Sequence, residues 1–366
     1  MNVIDEYFKK YTDDLLFLEL KDKNIYKELE SLPLAIYSKD FSKQVIRGDM
    51  ANSIKFETII EGMLITIASD SDFPYRDKYI EVLEKHIKNI ASYTATKAMD
   101  YEKESPEKSL LLLRAGYIIN PFDKYNSYNY ARRLWPLAYE VEEKKKGEFI
   151  KTSIDILQQI ISMDEDFPLS YYELGNLYRN LGEYVKSRSY YNKALQKVDN
   201  EIAKQEIREK LMEIEQNAQI EEAVYYIGKS DYNSAIKLLT KILSEEKRAD
   251  AYYYLAVCYQ NISEYDKSIE AFKNAIKQKG EFKEIYNDMA ISYYLNKKPL
   301  EAIEVINIGL EKYPEDPKLI YNRLQINLSI GNIDKAKEDI DNLLSYDDLS
   351  DEIFNNLMII KEQYML

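Results

Sequence analysis

The chain holds one histidine, His86, and one cysteine, Cys258, so acid–base or thiol chemistry would have to be built on those two side chains. Neither has the company such chemistry needs. His86 follows Glu84 and Lys85, which is not the H-E-x-x-H spacing of a zinc hydrolase, and its lysine neighbours suggest a surface position. Cys258 stands two residues after Ala256 in an apolar-periodic segment and reads as a small buried side chain rather than a nucleophile. Gly116 stands alone before Tyr117 and makes no phosphate-cradling loop. The acidic runs Asp164-Glu165-Asp166 and Asp347-Asp348 fall in predicted loops, where carboxylates cap helices. Lys144-Lys145-Lys146 reads as a helix end, where cations complement the helix dipole. The expectation is no enzyme, no cofactor and no metal site.

What remains is chemistry of contact. The formal charge is −14, from 50 basic and 64 acidic residues, opposite to a nucleic-acid footprint and unfavourable on an anionic membrane. The apolar stretches Ile59–Ala68 and Leu110–Leu113 fall far short of the ~20 residues of a membrane span, so no membrane insertion is expected. Met1–Glu6 lacks a signal-peptide profile, and a single cysteine forms no internal disulfide. A cytoplasmic location is expected. Tyrosine occurs 34 times; an A- and T-rich genome accounts for the total, but where individual tyrosines fall still matters.

Those tyrosines fall periodically. Tyr171, Leu174, Gly175 and Tyr178 are followed by Ser187, Tyr191 and Ala194. Tyr252, Leu255, Ala256 and Tyr259 precede Ser268, Phe272 and Ala275, and Tyr286, Met289, Ala290 and Tyr293 precede Ala302, Ile306 and Gly309, with Pro314 closing the unit. A last unit reads Ile320, Leu324, Asn327, Ala336, Ile340 and Leu343, with Gly331 in its turn, where a left-handed backbone is cheap for glycine. A further unit holds Ala223, Tyr226, Tyr232, Ala235, Leu239 and Ile242. Tyr178 and Tyr226 are 48 residues apart, about 14 more than one repeat. The insert has apolar residues at helical spacing and no Gly or Pro, which predicts one long helix over 201–227, capped by Asp199 or Asn200. The small residues mark where helices approach most closely. Tyr178, Tyr226, Tyr259 and Tyr293 read as gap-filling core.

This pattern resembles the tetratricopeptide repeat, W-x2-L-G-x2-Y…A-x3-F…P, in a bacterial-type scaffold. The resemblance implies an all-α, right-handed superhelical solenoid of antiparallel helix pairs, whose first helices line a concave groove. The implied lining is Tyr172, Asn176 and Arg179; Ile220, Val224 and Ile227; Tyr253, Val257 and Gln260; Asn287, Ile291 and Tyr294; and Tyr321, Gln325 and Leu328. It is mostly aliphatic and aromatic, as interaction patches are. Family members that grip a C-terminal carboxylate use Lys, Asn and Arg on successive first helices. Here Asn176 matches an asparagine, but Tyr172 takes the lysine position and Ile220 and Val224 carry no charge. The implied function is a non-enzymatic adaptor for a protein or peptide partner. Burial of the lining by the protein's own N-terminal helices or in a homodimer is the competing reading. A regulator that senses a peptide and changes superhelical pitch is the alternative function.

Upstream the pattern decays. Residues 75–167 read as degenerate repeat-like helix pairs, with a helix over 79–101, another from Pro106 to Asn120, a first helix over 124–146 kinked or restarted at Pro136, a turn at Gly147, and a second helix through Phe149, Ile156 and Ile160. Residues 1–74 read as an N-terminal helical cap or small helical domain, with Ile4, Phe8, Tyr11, Leu15 and Leu18 on one face and Phe56, Ile59, Ile60, Met63 and Ile67 on another. Residues 168–350 form the solenoid, about six helix pairs are counted from Tyr79 to Tyr346, and 351–366 form a capping helix.

Overall fold

The computed structural model describes residues 2–18, 29, 32–39, 55–280, 282–346 and 348–364; most of the segment 1–53, along with Asp347, lies outside them. The described residues form two compact units, one of residues 1–182 with 186–211 and one of 183–185 with 212–366.

Unit 1 begins with α1 (Val3–Lys9), capped by Asn2, which accepts from the Asp5 amide at 2.7 Å. A 3-10 turn, Lys10–Asp14, follows. The apolar face predicted to stay helical through Leu18 does not: Leu15–Leu18 is a strand, β1, paired antiparallel with β2 (Leu34–Tyr37), Leu15 opposite Tyr37 and Leu18 opposite Leu34. Every residue of β2 is buried, and it packs on α2 (Phe56–Ser69). Gly62 of α2 sits so close that a Cβ there would lie 1.9 Å from the Ala35 carbonyl oxygen. Thr58 through Ser69 are all buried, as expected of a helix apolar all round.

The helix predicted over 79–101 is two: α3 (Arg76–His86) and α4 (Ile90–Tyr101), separated at Ile87–Asn89. The Asn89 side chain accepts from the Ser92 amide at 3.0 Å, which starts the second helix. Next come α5 (Pro106–Ile119) and α6 (Lys124–Leu134). Pro136 converts the chain after α6 into a 3-10 turn, Trp135–Tyr139, because it supplies no N–H to the ladder. The helix restarts as α7 (Glu143–Met163). Gly147 therefore lies inside α7 rather than in a turn, and Lys144–Lys146 occupy its start rather than a helix end. There the lysines pair with acids: Lys144 with Glu142 at 2.7 Å, Lys145 with Glu6 at 3.1 Å and Lys146 with Glu143 at 3.6 Å. Unit 1 continues with α8 (Pro168–Asn180) and α9 (Tyr184–Lys197).

α10 (Glu201–Gly228) is one continuous helix, about 42 Å at 1.5 Å per residue. Asn200 caps it, accepting from the amides of Ile202 and Ala203 at 2.9 and 3.0 Å. Unit 2 then runs through α11 (Tyr232–Glu245), α12 (Ala249–Asn261), α13 (Tyr265–Lys277), α14 (Glu284–Leu295), α15 (Pro299–Lys312), α16 (Pro317–Ser329), α17 (Ile333–Leu344) and α18 (Asp351–Tyr364). The small residues Ala223, Ala256, Ala290, Ala235, Ala302 and Ala336 are all buried. Tyr178 is buried, whereas Tyr226, Tyr259 and Tyr293 are half-buried.

Each turn inside a helix pair of unit 2 ends its first helix the same way. Ser230, Ser263, Lys297 and Gly331 take left-handed φ of 59°, 63°, 60° and 77°. The next residue's amide then reaches back to Tyr226, Tyr259, Tyr293 or Asn327, at 2.8–2.9 Å. This is the Schellman closure, for which glycine is the usual residue. Only the last of the four has it.

Candidate functional site

The lining implied by the sequence divides between the units. In unit 1, Tyr172, Asn176 and Arg179 are half-buried on α8. The Tyr172 phenol donates to the Glu206 carboxylate. Asn176 accepts from the Tyr191 hydroxyl at 2.6 Å and donates to Glu173 at 3.3 Å. Glu173, which the sequence did not single out, is 4% exposed and also accepts from the Trp135 indole N–H at 2.8 Å. Burial pushes its carboxyl above the ordinary range, and the Trp135 and Asn176 hydrogen bonds pull it part of the way back.

In unit 2 the residues follow four first helices, α10, α12, α14 and α16. On α10, Ile220 is buried in the core with Ala223, Leu239 and Leu255 rather than lining a groove; Ile227 packs against that core and Val224 is exposed. On α12, Tyr253 and Val257 pack against a second core. The Tyr253 ring lies 5.0 Å from Phe282, and its hydroxyl donates to Asp288 Oδ2 at 2.8 Å. Gln260 Nε2 donates to the Asp288 carbonyl and to Ser292 Oγ, both at 2.8 Å. Asn287 Nδ2 donates to Asp288 Oδ1 at 3.0 Å, and Asn322 Nδ2 donates to Asn287 Oδ1. A continuous polar chain, Tyr253–Asp288–Asn287–Asn322, thus ties α12 to α14 and α14 to α16. Burial raises the Asp288 carboxyl above its usual value, against the lowering effect of Tyr253 and Asn287; burial also raises the Tyr253 phenol.

Beside this chain lies a pocket of about 110 Å3, lined by Ala290, Ile291, Tyr294, Asn322, Gln325 and Ile326. Three lining residues implied by the sequence, Ile291, Tyr294 and Gln325, meet here. Tyr294 and Gln325 are exposed and Ile291 is half-buried. Among the described residues, no charged side chain lines the pocket. Tyr321 and Leu328 instead pack against the core built on Ile320 and Leu324. Asp288 and Asn322 were missed. Their one sequence signal is polarity inside first helices, since Asp288 and Glu173 both stand two residues after a unit's leading tyrosine.

The residues first weighed for catalysis are placed as follows. Cys258 is fully buried, and burial pushes its thiol up to about 12, far from the thiolate a nucleophile requires. His86 is exposed and meets Phe56 edge-on at 4.7 Å. Asp164 and Asp166 pair with Lys124 at 2.6 Å and Lys197 at 2.9 Å. No helix among the described residues is long and apolar enough to cross a membrane.

Comparison with known proteins places this geometry. The tetratricopeptide repeat profile matches residues 168–200 and again 250–278. The chain is 24% identical over 213 residues to the TPR repeat-containing protein MJ1428 of Methanocaldococcus jannaschii, covering 55% of this chain and 32% of that protein. It is 24% identical over 125 residues to Protein O-mannosyl-transferase Tmtc3 of Drosophila melanogaster, covering 33% of this chain and 13% of the transferase. The chain therefore spans a third or less of the length of these curated relatives. A crystal structure of a tetratricopeptide repeat protein from Parabacteroides merdae aligns over 74% of this chain and 98% of its own, at 19% identity and a TM-score of 0.40. The α8–α9 and α12–α13 pairs match that profile and the same pairing of antiparallel helices continues to α17, so the chain carries tetratricopeptide repeats.

Proposed function

We propose that this protein is a non-enzymatic interaction scaffold, and that the face of α14 and α16 in unit 2 takes a segment of a partner polypeptide. The observation that carries the reading is the uncharged pocket of Ile291, Tyr294, Asn322, Gln325 and Ile326. Its size and apolar walls suit one uncharged side chain of the partner. Its exposed Gln325 amide and Tyr294 ring offer a hydrogen bond and an amphipathic contact at the rim. The polar chain through Asp288 holds the three first helices in register, so the pocket is preorganised. Without a lining cation, the pocket suits an internal stretch of polypeptide better than a terminal carboxylate.

The test is co-purification from the source cell with wild-type protein, Ile291→Asp and Tyr294→Ala, each checked for an unchanged melting transition. Partners held by this face are lost with Ile291→Asp and reduced with Tyr294→Ala. Recovery of the same partners in equal amounts by all three proteins removes the pocket from the account.

A further inference from the structure

The last described helix is α18 (Asp351–Tyr364). α18 packs on unit 2 through Ile353, Leu357 and Ile360, against the core of Ile320, Leu324, Ala336, Ile340 and Leu343. α18 exposes Phe354 at 46% and Met358 at 38%. With Asp351 and Lys361 these form one stripe, 351, 354, 358 and 361, at the three-and-four spacing of a helix-pairing seam.

Reversed, that stripe is its own complement. Its order is acid, apolar, apolar, base, and its midpoint falls at position 356. Two such helices laid antiparallel about a two-fold axis at 356 put Phe354 of each against Met358 of the other, and Asp351 of each against Lys361 of the other. A self-complementary patch of this kind is what an isologous interface requires, and charge of opposite sign at the two ends sets the antiparallel register. We propose that α18 pairs with α18 of a second copy of this chain, giving a two-fold dimer through Asp351, Phe354, Met358 and Lys361. One 14-residue helix per copy buries little area, so the dimer sits among weak, reversible interfaces. This proposal is independent of the pocket on α14 and α16.

Sedimentation velocity on the full chain, across a concentration series, tests it with a charge exchange. Wild-type protein is expected to associate to a dimer as concentration rises. Phe354→Asp, Asp351→Lys and Lys361→Asp each weaken that association about tenfold or more, the scale of losing an interface anchor. A mixture of Asp351→Lys with Lys361→Asp recovers it, because each copy then meets an opposite charge. Asp351, Phe354 and Met358 are exposed and Lys361 is half-buried, and melting curves verify that the variants fold. A wild-type monomer throughout, a dimer indifferent to the substitutions, or a mixture that stays monomeric overturns the proposal. The mixture distinguishes antiparallel pairing from a general loss of stickiness.

Discussion

Glu173 in unit 1 and Asp288 in unit 2 occupy the same place in their repeats, two residues after the leading tyrosine, and both are carboxylates raised by burial. They differ in what satisfies them. Glu173 is sealed by Trp135, which arrives from the 3-10 turn that Pro136 imposes after α6. Asp288 is held by a phenol and an amide from the first-helix ladder itself, and an open pocket remains alongside. An acid at this position locks neighbouring helices in either case. What decides whether a pocket is left open beside it is whether the chain supplies its own cover.

Removing one donor in each unit separates the two acids. Trp135→Phe leaves Glu173, 4% exposed, with only Asn176 as a hydrogen-bond donor. The expected loss is about 2–3 kcal/mol of stability in chemical denaturation, as for a buried charged acceptor left short. Tyr253→Phe removes the same kind of bond from the half-buried Asp288, where water can substitute. About 1 kcal/mol is expected. Equal losses would mean that the two acids are equally enclosed.

A gentler test uses backbone conformation in unit 2. Ser263 and Lys297 pay for left-handed φ without being glycine. Ser263→Gly and Lys297→Gly should each stabilise by up to about 1 kcal/mol, while Gly331→Ala should cost about as much. Thermal melts of the three variants measure this, and a destabilised Ser263→Gly would show that the serine side chain matters more than its strain.

The smallest effect concerns pH. A carboxyl whose folded pKa lies above its unfolded value binds its proton more tightly in the native state. Asp288 therefore contributes stability that is full below the unfolded value of ~3.9 and declines as pH rises to its raised folded value. Asp288→Asn keeps an acceptor for Tyr253 and removes that decline. Melting temperatures across the acidic range should differ between the two proteins in slope, with the variant flatter. Parallel slopes would contradict the burial of Asp288.

The helix pairs from α8 onward were legible because small and large apolar residues recur at a fixed interval, and burial of Ala256, Ala290 and Ala302 follows directly from that spacing. The long α10 was legible because nothing in the insert breaks a helix. The early part of the chain was harder to read. Leu15–Leu18 continues a helical apolar pattern, and only pairing with the distant Leu34–Tyr37 makes it a strand, a non-local preference that short apolar runs do not disclose. Gly147 reads as a turn, yet an exposed glycine inside a helix costs only about 1 kcal/mol and α7 absorbs it. The implied lining residues fall on first helices, but their side-chain contacts depend on neighbours about 35 positions away. Tyr253, Gln260 and Asn287 engage Asp288 or its backbone, an arrangement that single-helix periodicity does not encode.

On the proposed function, a partner polypeptide lies in the pocket between α14 and α16. The most direct measurement replaces Tyr294 with a photo-crosslinking amino acid, with a second protein carrying it at exposed Lys337 on the outer helix α17 as the reference. Crosslinks from 294 that concentrate on one stretch of one partner, are absent from 337, and vanish in an Ile291→Asp background are the predicted result. A partner captured equally from both positions, or unaffected by Ile291→Asp, would contradict it.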